Sequence, residues 1–177
     1  MTSPHNVLVV DDSPENLRML GQLLEEAGYE VTVATNALAA IERTRLDPVP
    51  DLILLDIVMP GMDGFELLGR LKADPATVSI PVIVISGIAD SEQKVRGFQC
   101  GAVDYITKPF QAEEVVARIG THIRLIGLER LEHEIAERRR SEEALRRSEA
   151  NLKKAQRVAH IGSWRWDIAN ERLEWSD

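Results

Sequence analysis

Residues 54–64 read LLDIVMPGMDG, an apolar run that stops at Asp56 and then turns through Pro60, Gly61 and Gly64. A carboxylate at the end of a buried strand is costly unless it is paired or bound to a metal. What Asp56 meets therefore depends on the neighbours that the fold brings to that strand end. The run DLILL (51–55) is one of five similar segments, with NVLVV (6–10), EVTVA (30–34), PVIVI (81–85) and AVDYI (102–106). All are short and rich in β-branched residues, and three are continuous apolar runs, as expected of parallel strands covered on both faces. Helical periodicity fills the stretches between them. In SPENLRMLGQLLEEAG, Leu17, Leu20, Leu24 and Ala27 fall on one face. Ser13 is placed to cap that helix, Pro14 suits its first turn and Gly28 its exit. Asp63 with Glu66, and Asp90 with Gln93, are spaced as capping boxes for the third and fourth helices. Alternating strands and helices with short connections predict an α/β fold built on a doubly wound sheet.

In such sheets function gathers at the carboxyl ends of the strands. The first predicted strand leads into Asp11 and Asp12, the third ends in Asp56, the fourth ends in Ser86, and Lys108-Pro109 follows the fifth. Three carboxylates, a hydroxyl and an ammonium thus converge on one edge. Two unit charges about 4 Å apart repel by roughly 4 kcal/mol at an effective dielectric near 20. Three acids together want a cation, and an all-oxygen donor set suits Mg²⁺.

The segments VLVVDD (7–12), LLDIVMPGMDGFELL (54–68), PVIVISG (81–87) and GAVDYITKPF (101–110) occur in an order and spacing that resemble the receiver domain of two-component response regulators. The resemblance covers residues 5 to about 120, and the ordered set is far more specific than any one motif. It implies a flavodoxin-like, five-stranded parallel sheet of strand order 2-1-3-4-5. It also implies that Asp56 accepts a phosphoryl group from a cognate histidine kinase or phosphotransfer protein. Asp11, Asp12, the Asp56 carboxylate and the main-chain carbonyl of Val58 would organise Mg²⁺. Ser86 would bond the phosphoryl oxygens, Lys108 would balance charge, and its bond to Pro109 would be cis. Ser86 and Tyr105 would form the switch, with Tyr105 rotating inward and altering the face made by helix four, strand five and helix five. Val58 and Ile88, two residues past Asp56 and Ser86, would control water access; both are apolar, so slow self-dephosphorylation is expected. Beyond self-catalysed phosphoryl acceptance and hydrolysis, no enzyme activity is expected of this part.

Other readings of the same residues fare worse. A flavin binder of flavodoxin type needs a Ser/Thr-rich phosphate loop after the first strand, where Asp11 and Asp12 would repel phosphate. A dehalogenase-type phosphatase needs a second acid two residues past its nucleophile, and residue 58 is Val. A purely structural module has no use for the acid cluster. His133, in LEHEIAERRR, lacks the Arg-Thr-Pro-Leu sequence that usually follows a kinase phospho-acceptor histidine and reads as an exposed helix residue. Cys100 reads as a buried small hydrophobe, and Arg138–Arg140 as a solvated helix face.

Composition divides the chain in three. Residues 1–120 carry nine basic against eighteen acidic residues, 121–158 ten against seven, and 159–177 two against four. A net charge of −8 argues against direct nucleic-acid binding. No apolar run approaches the roughly 20 residues that span a bilayer, and the N-terminus does not read as a signal peptide. The single cysteine fits a reducing compartment, so a cytoplasmic protein is expected. The expected organisation is a receiver over 1–122, a helical coiled-coil linker over 123–158 and an incomplete PAS domain over 159–177.

The fifth helix has no visible stop after about residue 111. Continuous to residue 157, it would be roughly 70 Å long. Glu134–Arg138, Glu142–Arg146, Glu143–Arg147 and Glu149–Lys153 are spaced as favourable i,i+4 pairs. Leu128, Leu131, Ile135, Leu145 and Leu152 follow a heptad interrupted by Arg138, Glu142 and Glu149, which predicts a discontinuous coiled coil joining two copies in parallel. The tail AQRVAHIGSWRWDIANERLEWSD resembles the start of a PAS sensor domain, with WRWDI and RLEWS alternating as two strands about an ANE turn. About 20 residues cannot form such a domain, so an output module beyond residue 177 is expected, with a histidine kinase or a diguanylate cyclase as the alternatives.

Overall fold

The computed structural model describes residues 4–87, 91–158, 163–167 and 172–176. The chain divides into two units, Met1–Gly127 and Leu128–Asp177. In the first, β1 (Asn6–Val10), β2 (Glu30–Ala34), β3 (Leu52–Asp56), β4 (Val82–Ser86) and β5 (Asp104–Thr107) alternate with α1 (Pro14–Glu26), α2 (Ala37–Arg43), α3 (Gly64–Ala73), α4 (Ser91–Gln99) and the start of α5 (Ala112–Val158). The strands are parallel and lie in the order β2-β1-β3-β4-β5. This is the flavodoxin-like receiver arrangement, with a long C-terminal helix.

The strands form because successive side chains alternate between two apolar layers. Val7 and Val9 share a core with Leu17, Leu20 and Leu24 of α1 and with Val115 and Ile119 of α5. Leu8 and Val10 point the other way, into the cluster of Ala37, Ala40, Leu67 and Leu68. Each fully buried Leu or Ile contributes about 1.5–3 kcal/mol, and β1, β3 and β4 are buried at every position.

Strand limits differ from the sequence reading by a residue or two. Asp51 lies just before β3, with its N–H donating to the Asn6 carbonyl at 2.8 Å and its carboxylate accepting the Asn6 N–H at 3.1 Å. Ala102 and Val103 close the turn after α4, with Ala102 N–H donating to the Gly97 carbonyl and Val103 N–H to that of Val82. β5 therefore starts at Asp104.

The helix starts follow local chemistry. Ser13 caps α1 through the Asn16 N–H, with Pro14 in the first turn. Asp63 caps α3 through the Phe65 N–H at 3.0 Å, but Glu66 does not complete a capping box, because it pairs with Arg70 at 2.8 Å. The capping box expected at Asp90 and Gln93 lies outside the described residues, as does Ile88. Cys100 is half-buried at the edge of the core rather than inside it.

α5 runs 47 residues. Val115, Ile119 and Ile123 recur every fourth position and are buried in the first unit. In the second unit Leu128, Leu131, Ile135, Leu145 and Leu152 are 43–62% exposed. Arg138 turns forward to Glu142 at 3.2 Å instead of pairing with Glu134, and exposed His133 pairs with Glu137 at 3.3 Å. Beyond the helix, β6 (Ser163–Asp167) and β7 (Arg172–Ser176) pair antiparallel, with Trp164 opposite Trp175. The turn expected at 169–171 lies outside the described residues. Among the described residues, no helix is long and apolar enough to cross a membrane.

Candidate functional site

The register of the sheet brings the chemistry together. Val10 pairs with Leu55 and Asp56 with Ile85, so Asp11, Asp56 and Ser86 stand in a row at the carboxyl edge. Carboxylate oxygens of Asp11, Asp12 and Asp56 lie within 4.8 Å of one another. Asp11 and Asp56 are buried and Asp12 is exposed. Asp11 is held from three sides: Ser13 N–H donates to its Oδ1 at 2.8 Å, Asn16 Nδ2 donates to both oxygens at 3.0 and 2.9 Å, and Lys108 Nζ donates to Oδ2 at 3.1 Å. Asp56 accepts from Lys108 Nζ through Oδ2 at 2.6 Å and from the Val58 N–H through Oδ1 at 3.2 Å.

Lys108 arrives there through the backbone. Its N–H donates to the Ser86 carbonyl at 2.8 Å, and its bond to Pro109 is cis. Ser86 is fully buried at the end of β4, opposite Thr107. Tyr105 is already inside: its ring belongs to the cluster containing Phe65, is 7% exposed, and carries Lys94 Nζ 5.4 Å from its centroid. The structure thus gathers Asp11, Asp12, Asp56 and Lys108 around one point, sets Ser86 on the next strand, and places Tyr105 in the adjoining core. The side chain of Val58 is exposed beside Asp56.

Two contributors were not singled out from the sequence. Asn16 fixes the orientation of Asp11, and its signal was an amide side chain in the first turn of the helix that follows the paired acids. Asp104 bonds Arg118 through both oxygens at 2.8 and 2.9 Å, accepts the Tyr105 N–H at 2.8 Å and lies 3.3 Å from His122 Nε2. This network ties β5 to the first turns of α5. Burial raises the Asp104 pKa, but the Tyr105 N–H, Arg118 and His122 outweigh it and hold the carboxyl below its usual value.

Burial pushes the Asp56 carboxyl above its ordinary range, and the bonds from Lys108 and the Val58 N–H only partly offset this. Lys108 responds in the complementary way: burial pulls its ammonium down, yet its bonds to Asp56 and Asp11 leave it more basic than usual. One ammonium serves two of three acids, so the pocket keeps excess negative charge. Its donors are all oxygens, with Asp12 open to solvent, and that set suits a hard divalent cation.

The model of the response regulator receiver domain matches residues 7–120. The chain is 44% identical over 121 residues to the phosphate regulon transcriptional regulatory protein PhoB of Pseudomonas aeruginosa, covering 68% of this chain and 52% of that protein. It is 41% identical over 113 residues to the response regulator PleD of Caulobacter vibrioides, covering 64% of this chain and 25% of PleD. The matching part therefore spans about half of one relative and a quarter of the other. Among solved structures, the receiver domain of a signal transduction histidine kinase from Syntrophus aciditrophicus is 36% identical with a TM-score of 0.62, covering 67% of this chain and 89% of that one. A CheY-like receiver from Methanospirillum hungatei is 30% identical with a TM-score of 0.66, covering 72% and 99%. Receiver domains are self-catalysing phosphoacceptor modules rather than independent enzymes. With this fold, this acid cluster and these likenesses, the chain belongs to the response regulator receiver domain family.

Proposed function

We propose that the chain receives a phosphoryl group on Asp56 from a histidine kinase or phosphotransfer protein, and that Mg²⁺ is required. The observation that carries this reading is the juxtaposition of the three carboxylates with Lys108, which bonds Asp56 at 2.6 Å and Asp11 at 3.1 Å. Asp11, Asp12, Asp56 and the Val58 carbonyl would hold the cation. When bound, the cation neutralises charge on the transferring phosphoryl. An Asp56 carboxylate oxygen forms the new bond to phosphorus as the bond to the donor breaks. Lys108 is freed from part of its pairing with Asp56 and turns its charge to the phosphoryl oxygens, so positioning and electrostatics do most of the catalysis. Ser86 is drawn to the phosphoryl after transfer, and Tyr105, whose ring is already buried before transfer, is the second switch residue, settling further into the space that Ser86 vacates. Val58 and Ile88 shield the acyl phosphate from water.

The signal would leave through α5. In this reading residues 1–122 are the receiver, 123–158 a coiled-coil linker that pairs two copies in parallel through Leu128, Leu131, Ile135, Leu145 and Leu152, and 159–177 the beginning of a PAS domain. Two observations support it: an apolar stripe exposed along a 47-residue helix, and the antiparallel pairing of β6 with β7. The protein would act in the cytoplasm. An alternative is a receiver within a larger histidine kinase or diguanylate cyclase; the kinase version is favoured by the Syntrophus likeness, whose receiver belongs to a histidine kinase.

Incubation with acetyl phosphate and Mg²⁺, followed by intact-mass measurement, tests the central step. Wild type is expected to gain one phosphoryl group; Asp56→Asn or added chelator is expected to prevent it. Equal labelling of Asp56→Asn would overturn the assignment.

A further inference from the structure

The turn after Asp56 contains two glycines with different demands. Gly61 has a φ of +89°, but a Cβ added there meets nothing within 4 Å. Gly64 is the reverse case: a Cβ there would lie 2.6 Å from the Asp56 carbonyl oxygen, 2.6 Å from Ile57 Cα and 3.1 Å from the Ile57 carbonyl oxygen. Every one of those atoms is backbone, so no rotamer change can relieve the clash. Carbon atoms in contact normally sit about 3.5–4.0 Å apart, so any side chain at residue 64 must push the chain by something near 1 Å.

The segment it would push is held on both sides. Ile57 N–H donates to the Ile85 carbonyl at 3.2 Å, and the Ile57 carbonyl accepts the Gly64 N–H at 3.1 Å. Asp56 precedes Ile57, and Val58, whose N–H bonds Asp56 Oδ1 at 3.2 Å, follows it. The first residue of α3 is thus seated directly on the peptide between the acid and Val58.

We propose that Gly64 is a positioning residue for the cation site and for Asp56: its missing side chain lets the start of α3 press the Asp56–Val58 segment into the geometry that binds Mg²⁺. This rests on the reading of Asp56 and Mg²⁺ given above. A shift near 1 Å at a reacting group costs on the order of 10²-fold in rate, and disturbing the support of a ligand costs about 10–100-fold in metal affinity.

Gly64→Ala and Gly61→Ala in the full chain separate positioning from loop strain. Both are expected to lower the melting temperature, Gly61→Ala through its left-handed φ. Mg²⁺ affinity, measured by calorimetry without phosphodonor, is expected to fall at least about tenfold in Gly64→Ala and to stay close to wild type in Gly61→Ala. Acetyl-phosphate labelling should follow the same order. Wild-type Mg²⁺ affinity in Gly64→Ala, or an equal loss in both variants, overturns the proposal. Should wild type itself bind no Mg²⁺, the reading beneath it fails instead. If Gly64→Ala does not fold, the wild-type Gly64 amide decides: its NMR resonance is expected to move with Mg²⁺ along the calorimetric binding curve, and a resonance that stays fixed contradicts the proposal.

Discussion

Asp56→Asn is expected to stabilise the metal-free protein while removing what a divalent cation adds. Asp56 and Asp11 share Lys108, and their oxygens lie within 4.8 Å. At an effective dielectric near 20, that separation corresponds to roughly 3.5 kcal/mol of gross repulsion. Against it stands the charge-assisted bond from Lys108, of a kind worth about 1.5–3 kcal/mol, part of which an Asn oxygen retains. The net gain on substitution is therefore about 1–2 kcal/mol. The titration argument has the same sign. Burial raises the folded-state pKa of Asp56, so ionising it favours the unfolded chain. The advantage of Asn is then full above that raised value and fades as pH falls to the ordinary carboxylate value of 3.8. Urea melts followed by circular dichroism at neutral pH, in chelator and in excess Mg²⁺, measure both effects. With the cation at 100 times its dissociation constant, wild type should gain about 2.7 kcal/mol and overtake the variant. The reasoning is refuted if Asp56→Asn is the less stable protein in chelator, or if Mg²⁺ stabilises both equally.

Asp104→Asn should cost about 1–2 kcal/mol at neutral pH, because it weakens the charge-assisted contact in which Arg118 Nη1 reaches both Asp104 oxygens. The Asp104 pKa is lowered, so that loss should be present above the ordinary value of 3.8 and vanish as pH falls through the lowered one; urea melts across that range check it. The aspartyl phosphate should decay slowly in wild type and faster in Val58→Asn/Ile88→Ala, timed by intact mass, and an unchanged or longer half-life in the double variant counts against shielding. Sedimentation should show the full chain as a dimer at tens of micromolar and a version ending at Gly127 as a monomer; that cut spares the buried Ile123. If both are monomers, with and without a phosphoryl mimic, α5 is a linker and the paired-helix relay is wrong.

The parallel sheet was legible because strands covered on both faces read as unbroken apolar runs, and LILLD and VIVIS are buried throughout. The acid cluster was legible because parallel strands deliver their carboxyl ends to one edge, so Asp11, Asp12, Asp56 and Lys108 meet despite large separations in sequence. What escaped depended on tertiary contact. Nothing in the spacing of Gly64 says that a Cβ there would run into the Asp56 carbonyl. Arg118 and His122 reach Asp104 only because α5 packs on β5. Glu66 had two local options, and the side chain of Arg70 won over the backbone at Asp63. Likewise Arg138 had acids both four residues before and four after, and pattern alone does not choose between them.

The central claim is that Asp56, and no other residue, carries the phosphoryl group. The most direct measurement treats the phosphorylated protein with borohydride, which reduces an aspartyl phosphate to homoserine, and then sequences its peptides by mass spectrometry. Homoserine at position 56, formed only when both Mg²⁺ and phosphodonor were present, is the predicted result. Homoserine at Asp11 or Asp12, or a stable phosphoryl group on His133, would contradict the account.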